Sequence, residues 1–131
     1  MKKDRVLNPG LAAEIAALGH TEYIVVADAG LPIPTGMKVI DLSVTANIPS
    51  FLQVLEAIDS ELVSEAYILA EEMPVKNPAL YEKTKRLLEG RPETLVSHEQ
   101  LKQLTKQAKA VVRTGETSSY ANAILVGGVN F

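Results

Sequence analysis

Residues 23–34 read YIVVADAGLPIP, and the fold turns on how this stretch is read. Tyr23 to Ala27 is an apolar, mostly β-branched run of the kind that forms a strand buried on both faces. Asp28 follows at the strand's end, and Ala29-Gly30-Leu31-Pro32-Ile33-Pro34 is a loop by its glycine and two prolines. The strand therefore delivers a carboxylate to a sheet edge.

Working outward, Asn8-Pro9 starts a helix, with Asn as cap and Pro in the first helical position; Leu11, Ile15 and Leu18 share one face and Gly19 is the stop. Met37 to Leu42 reads as a second strand. Pro49 then opens a helix in which Phe51, Val54, Leu55 and Ile58 recur at helical spacing. Ala66 to Ala70 is a third strand, and Asn77-Pro78 repeats the cap-plus-proline start before a helix carrying Leu80, Leu87 and Leu88 to Gly90. Thr94 to Val96 is a short strand, and Ser97-His98-Glu99-Gln100 has the spacing of a capping box, which puts His98 at a helix N-terminus. Ala108 to Arg113 and Ala123 to Val129 are closing strands, separated by the polar loop Thr114 to Tyr120.

This alternation predicts an α/β fold: one three-layer α/β/α domain over residues 1–131, with a mixed, largely parallel central sheet and a ligand site beyond the strand ends.

Composition narrows the function. The chain has 131 residues, 47% of them hydrophobic and 22% charged, with a formal net charge of -3. An acidic chain of this kind has no electrostatic draw toward nucleic acid or anionic lipid. Its mean hydropathy of +0.09 leans apolar for so small a protein, so part of its surface is expected at subunit contacts. Without cysteine there are no disulfides, thiolate nucleophiles or Cys-ligated metals, and a reducing compartment fits. Asp4, Arg5 and Glu14 interrupt anything resembling a signal peptide, and no apolar run approaches the roughly 20 residues of a membrane helix. The expected location is cytoplasmic, with no membrane insertion.

His20 and His98 are the only histidines, and both fall at element boundaries. Imidazole gives and takes protons near neutrality, although either ring also suits a surface position. His20 stands eight positions before Asp28, and a carboxylate beside imidazole fixes its tautomer and stabilises the cation. An Asx turn is the competing account of Asp28. Tyr120 and Asn122 flank Ala121, so on an extended segment they point the same way and can grip a hydroxylated ligand; strand-end hydrogen bonding is the simpler reading. Lys102 lies one turn after His98 on the same face, as a cation for the site or a solvated lysine.

No serine stands in a Gly-x-Ser-x-Gly context, there is no His-x-x-x-His, and no phosphate loop occurs. Neither acyl transfer nor a metal or nucleotide cofactor is expected.

Leu-Asn-Pro with Leu-Gly-His-Thr, then Ala-Asp-Ala-Gly-Leu-Pro-Ile-Pro, Ser-His-Glu-x-x-Lys and Arg-Thr-Gly-Glu…Tyr-Ala-Asn, run in this order from residue 7 to residue 122. Together with the terminal Gly-Val-Asn-Phe they resemble the D-ribose pyranase family over essentially the whole chain. The resemblance implies D-ribose as substrate, His20 as the acid–base residue, and Asp28, His98, Tyr120 and Asn122 as sugar contacts. It also implies a ring-shaped homo-oligomer, a decamer of two pentameric rings, with each site at a subunit boundary. Two other functions compete: a mutarotase for another monosaccharide such as fucose, and a sugar-binding subunit without catalysis.

Overall fold

The computed structural model describes all 131 residues. In chain order the elements are α1 (Pro9–Ala17), β1 (Tyr23–Ala27), β2 (Val39–Asp41), α2 (Phe51–Asp59), β3 (Ser64–Ala70), α3 (Met73–Lys76), α4 (Pro78–Leu87), β4 (Glu93–Val96), α5 (His98–Thr105), β5 (Ala110–Arg113) and β6 (Ala123–Gly127). The six strands form one sheet in the order β2-β5-β1-β6-β3-β4. Five run the same way; β6 alone is antiparallel, to β1 on one side and β3 on the other. The expected mixed, largely parallel sheet is what the chain builds.

Strand alternation divides the core in two. On one face Ile24, Val26, Tyr67, Leu69, Val112 and Leu125 pack with Leu11 and Ile15 of α1, Phe51, Val54, Leu55 and Ile58 of α2, and Leu88. On the other, Val25, Ala27, Ile68, Val111 and Ile124 are covered by Leu101 of α5 and by Leu31 of the loop after β1. One helix thus covers this face, whereas α1, α2, α4 and Met73 of the short α3 share the other.

Several element boundaries differ from those expected. Pro49 lies outside α2, whose cap is Ser50: its hydroxyl accepts from the Gln53 N–H at 3.2 Å, and the Gln53 side chain accepts from the Ser50 N–H at 2.9 Å. The complete capping box is therefore here, whereas at α5 only the Ser97 half forms, its hydroxyl accepting from the Gln100 N–H at 3.1 Å. The short α3 has too few residues for a periodic pattern to reveal it. Asn77, between α3 and α4, has φ -141° and ψ 58° and makes no side-chain cap. Its amide is engaged elsewhere.

A clasp ties β3, β4 and α4 together, the Tyr67 and Tyr81 hydroxyls donating to the two oxygens of Glu93 at 3.0 and 2.8 Å. Burial, reinforced by the Glu93 carboxylate, raises both phenols, Tyr81 to about 12 and Tyr67 further. A pKa raised on folding contributes stability that is complete below the unfolded tyrosine value of about 10 and declines as pH rises through the folded value. Chemical denaturation in steps from pH 9 to 12 is therefore expected to show stability falling above about pH 10. Tyr81→Phe should flatten that slope; an unchanged slope would separate the clasp from the alkaline loss.

Candidate active site

Because β1 to β5 run in parallel and β6 runs against them, the ends of five strands and the entry to the sixth share one sheet edge. Asp28 after β1, His98 after β4 and the loop between β5 and β6 line one cleft there, with a volume of about 500 Å³. Its remaining walls are residues 29–32 and Glu116 to Ser119. No lysine or arginine lines it, so the cleft offers hydroxyls, backbone polar groups, a carboxylate pair and an imidazole. Such a surface suits a neutral, polyhydroxylated ligand better than an anion.

Asp28 is held from two directions. Its N–H donates to Asn122 Oδ1 at 2.9 Å, and Asn122 Nδ2 donates back to Asp28 Oδ2 at 3.1 Å. The Gly30 N–H donates to Asp28 Oδ1 at 2.9 Å, which is the Asx turn that competed with a site role. The two readings are compatible, since the residue that makes the turn also lines the cleft.

His98 is the first residue of α5, and its N–H donates to both carboxylate oxygens of Glu72, each at 3.0 Å. Its Nδ1 is buried with no hydrogen-bond partner, although a buried polar atom ordinarily has one. The ring meets Tyr120 edge to face, centroids 5.1 Å apart. Tyr120 has φ +57°, a left-handed conformation uncommon for a bulky side chain, so the segment is not extended there. Tyr120 and Asn122 accordingly do not form a matched pair: Tyr120 turns to His98, and Asn122, fully buried, turns to Asp28. Lys102 forms an ion pair with Glu99 at 2.6 Å and is not among the lining residues.

The loop from Thr114 to Tyr120 is fastened along its length. The Thr114 hydroxyl donates to the Ala27 carbonyl at 2.8 Å, and the Ala29 N–H donates to the Glu116 carbonyl at 2.9 Å. Glu116 accepts from the Phe51 N–H at 2.9 Å and from the Ser118 hydroxyl at 2.7 Å, joining the cleft to the start of α2. Gly115 sits where a Cβ would lie 2.5 Å from the Thr45 carbonyl oxygen and 2.7 Å from that of Ile48. Sequence reasoning missed Glu72 and Glu116; the polar loop pointed to the second, and no local pattern marks the first.

His20 does not join this cleft within its own chain. It precedes β1 and Asp28 follows it, so a five-residue strand, about 17 Å long at the usual rise, separates them. The expected His20–Asp28 pair is corrected: His20 Nε2 lies 2.8 Å from Glu65 Oε2, at the opposite sheet edge, beside a second hollow lined by Leu18, Val63 and the C-terminal residues Gly128 to Phe131. A strand pattern identifies the two residues it connects but leaves them at opposite ends. No group of three or more His, Asp or Glu side chains is placed to hold a metal ion.

The chain is similar to known proteins over its whole length. A D-ribose pyranase of Geobacillus kaustophilus is 53% identical over 131 residues, covering 100% of this chain and 96% of that relative. One from Symbiobacterium thermophilum is 48% identical, covering 100% of both. The structure of Bacillus subtilis RbsD complexed with D-ribose superposes with a TM-score of 0.97 at 44% identity, covering 100% of each chain. That of the Streptococcus pneumoniae fucose mutarotase in complex with L-fucose gives 0.79 at 28% identity, covering 95% of each. Residues 1–130 match the model of the RbsD / FucU transport protein family, and with relatives at this identity over its whole length the chain belongs to that family.

Proposed function

We propose that the protein is a D-ribose pyranase, a cofactor-independent isomerase that interconverts the pyranose and furanose forms of D-ribose. The observation that carries this reading is the cleft itself, in which a positioned carboxylate and an imidazole stand among hydroxyls and backbone groups. The relatives supply the sugar.

The reaction needs only proton movement. A base takes the proton of the anomeric hydroxyl, the bond from C1 to the ring oxygen breaks, and that oxygen receives a proton as the open aldehyde forms. The 4-hydroxyl then adds to C1, losing its proton as the carbonyl oxygen gains one. Positioned acid–base groups supply roughly 10²–10⁴-fold in such steps. Asp28, His98, Tyr120 and Asn122 are assigned to the sugar: Asp28 and His98 line the cleft, Tyr120 stands against the His98 ring, and Asn122 is bonded to Asp28.

His20 is assigned as the acid–base residue, serving the cleft of a second copy of the chain. Three features support this: its exposed position, its pairing with Glu65, and its distance from the cleft of its own chain. Glu65 then takes the orienting role that the sequence suggested for Asp28. The proposal extends to a homo-oligomer, a decamer of two pentameric rings, located in the cytoplasm. Both edge strands expose an apolar side chain, Val39 on β2 and Leu95 on β4, and Phe131 is fully exposed, which favours burial against other copies.

Saturation-transfer NMR on equilibrated D-ribose is the test. Adding protein should accelerate magnetisation exchange between pyranose and furanose resonances, and dialysis against a chelator should leave the acceleration intact. Binding of ribose without faster exchange would make the chain a sugar-binding subunit. Acceleration with L-fucose and none with ribose would make it a mutarotase of another sugar.

A further inference from the structure

Asn77 stands where a helix cap is expected, directly before Pro78 at the start of α4, yet its side chain makes no cap. Capping by Asn contributes of the order of 1 kcal/mol to a helix, and a residue that forgoes it is engaged in something else. Its Nδ2 donates to the Ser118 hydroxyl at 3.0 Å and to the Ser119 carbonyl at 2.9 Å, so one amide group grips the final residues of the loop before Tyr120. Those two residues line the cleft. Immediately after them the backbone turns left-handed at Tyr120 and sets its ring against His98. A conformation of this kind persists only where its surroundings hold it.

We propose that Asn77 is a positioning residue for the reaction: its amide fixes Ser118 and Ser119, and through them the turn that holds Tyr120 against His98. This rests on the reading of the cleft as the ribose site. The amide is suited to the task because both contacts need a donor. Asp at this position keeps the shape, replaces the donors by acceptors that repel the Ser119 carbonyl, and caps a helix as well as Asn does, with its charge favoured at the α4 N-terminus.

That opposition supplies the test. Asn77→Asp should lower kcat/KM for ribose exchange about tenfold, the loss of roughly one hydrogen bond's worth of positioning, while the melting temperature stays level or rises. A residue that merely supports the fold would lose both together, and that result would overturn the proposal. Pro78→Ala perturbs the same helix start while leaving the amide in place, and should keep wild-type exchange. In protein labelled with 3-fluorotyrosine, the Tyr120 resonance, assigned through Tyr120→Phe, should move in Asn77→Asp and not in Pro78→Ala. An unmoved resonance would overturn the proposal even if activity fell. Ser118→Ala approaches the contact from the other side and keeps the test open should Asn77→Asp fail to fold: it should move the same resonance, and the two substitutions together should cost less than the product of their separate effects. If the wild-type protein does not accelerate ribose exchange, the assigned reaction falls, and the fluorine shift still decides whether Asn77 holds Tyr120.

Discussion

His20→Asn is expected to lower pyranose–furanose exchange by at least ~10²-fold while ribose still binds, because Asn keeps a hydrogen-bonding side chain but cannot carry the proton. The position of His20 sharpens this prediction. Its carboxylate partner is Glu65, 2.8 Å away, so Glu65→Gln should produce the smaller loss expected of an orienting group. Asp28→Asn should chiefly weaken ribose binding. If His20 serves the cleft of a second copy, two separately impaired proteins, His20→Asn and Asp28→Asn, should regain activity when refolded together and assayed at a ribose concentration where each alone is slow. Random mixing gives about a quarter of the sites an intact His20 from one chain and an intact Asp28 from another. Exchange rates by saturation-transfer NMR, with affinity and sedimentation measured in parallel, check each arm. No recovery on mixing would place the two residues in one chain's site; near wild-type exchange in His20→Asn with its loss in His98→Asn would move the proton-transfer role to His98.

The largest effect on stability is expected from Gly115→Ala. The added methyl would lie 2.5 Å from the Thr45 carbonyl oxygen, 2.7 Å from the Ile48 carbonyl oxygen and 2.8 Å from the Ile48 nitrogen. All three are backbone atoms, which cannot turn aside as a side chain would. The Gly115 N–H also donates to the Pro49 carbonyl at 2.8 Å, so relief by moving the strand end breaks a bond that anchors the approach to α2. A loss of about 3 kcal/mol follows from overpacking at so rigid a contact, or about 10 °C in melting temperature for a domain of this size. Because the same loop carries Glu116 to Ser119 into the cleft, ribose affinity should fall with it. Thermal denaturation and ribose titration measure both, and a melting temperature within two degrees of wild type would mean that the 43–50 loop yields easily.

Much of this architecture was legible in the residues. Tyr23 to Ala27 reads as a buried strand because nothing polar interrupts it, and Asp28 and His98 were found at the cleft because each lies within two residues of the end of a strand pattern. What stayed hidden depends on direction and on distant partners. Nothing in Ala123 to Val126 announces that β6 runs antiparallel, and that reversal is what brings Tyr120 and Asn122 to the edge where Asp28 stands. The pairing of His20 with Glu65 joins residues 45 positions apart, beyond any local periodicity. The bond of the fully buried Asn122 to Asp28 likewise joins residues 94 positions apart. Asn77 reads as a cap because the local rule is sound, and the rule fails where a loop more than 40 residues away, at Ser118 and Ser119, takes the amide instead.

The central place of β6 bears on how the chain is made. It is the sixth strand in sequence, yet it lies between β1 and β3, so the half-sheet of β2, β5 and β1 and the half-sheet of β3 and β4 have no hydrogen-bonded connection until it arrives. On the ribosome, the first five strands must wait with two open inner edges, which are templates for pairing with another chain. Joining β1 to a strand about a hundred residues later closes a long loop, a step that slows folding. The insertion of β6 therefore unites the sheet, and the cleft, whose Asp28 and Asn122 meet across that seam, comes into being at the same moment.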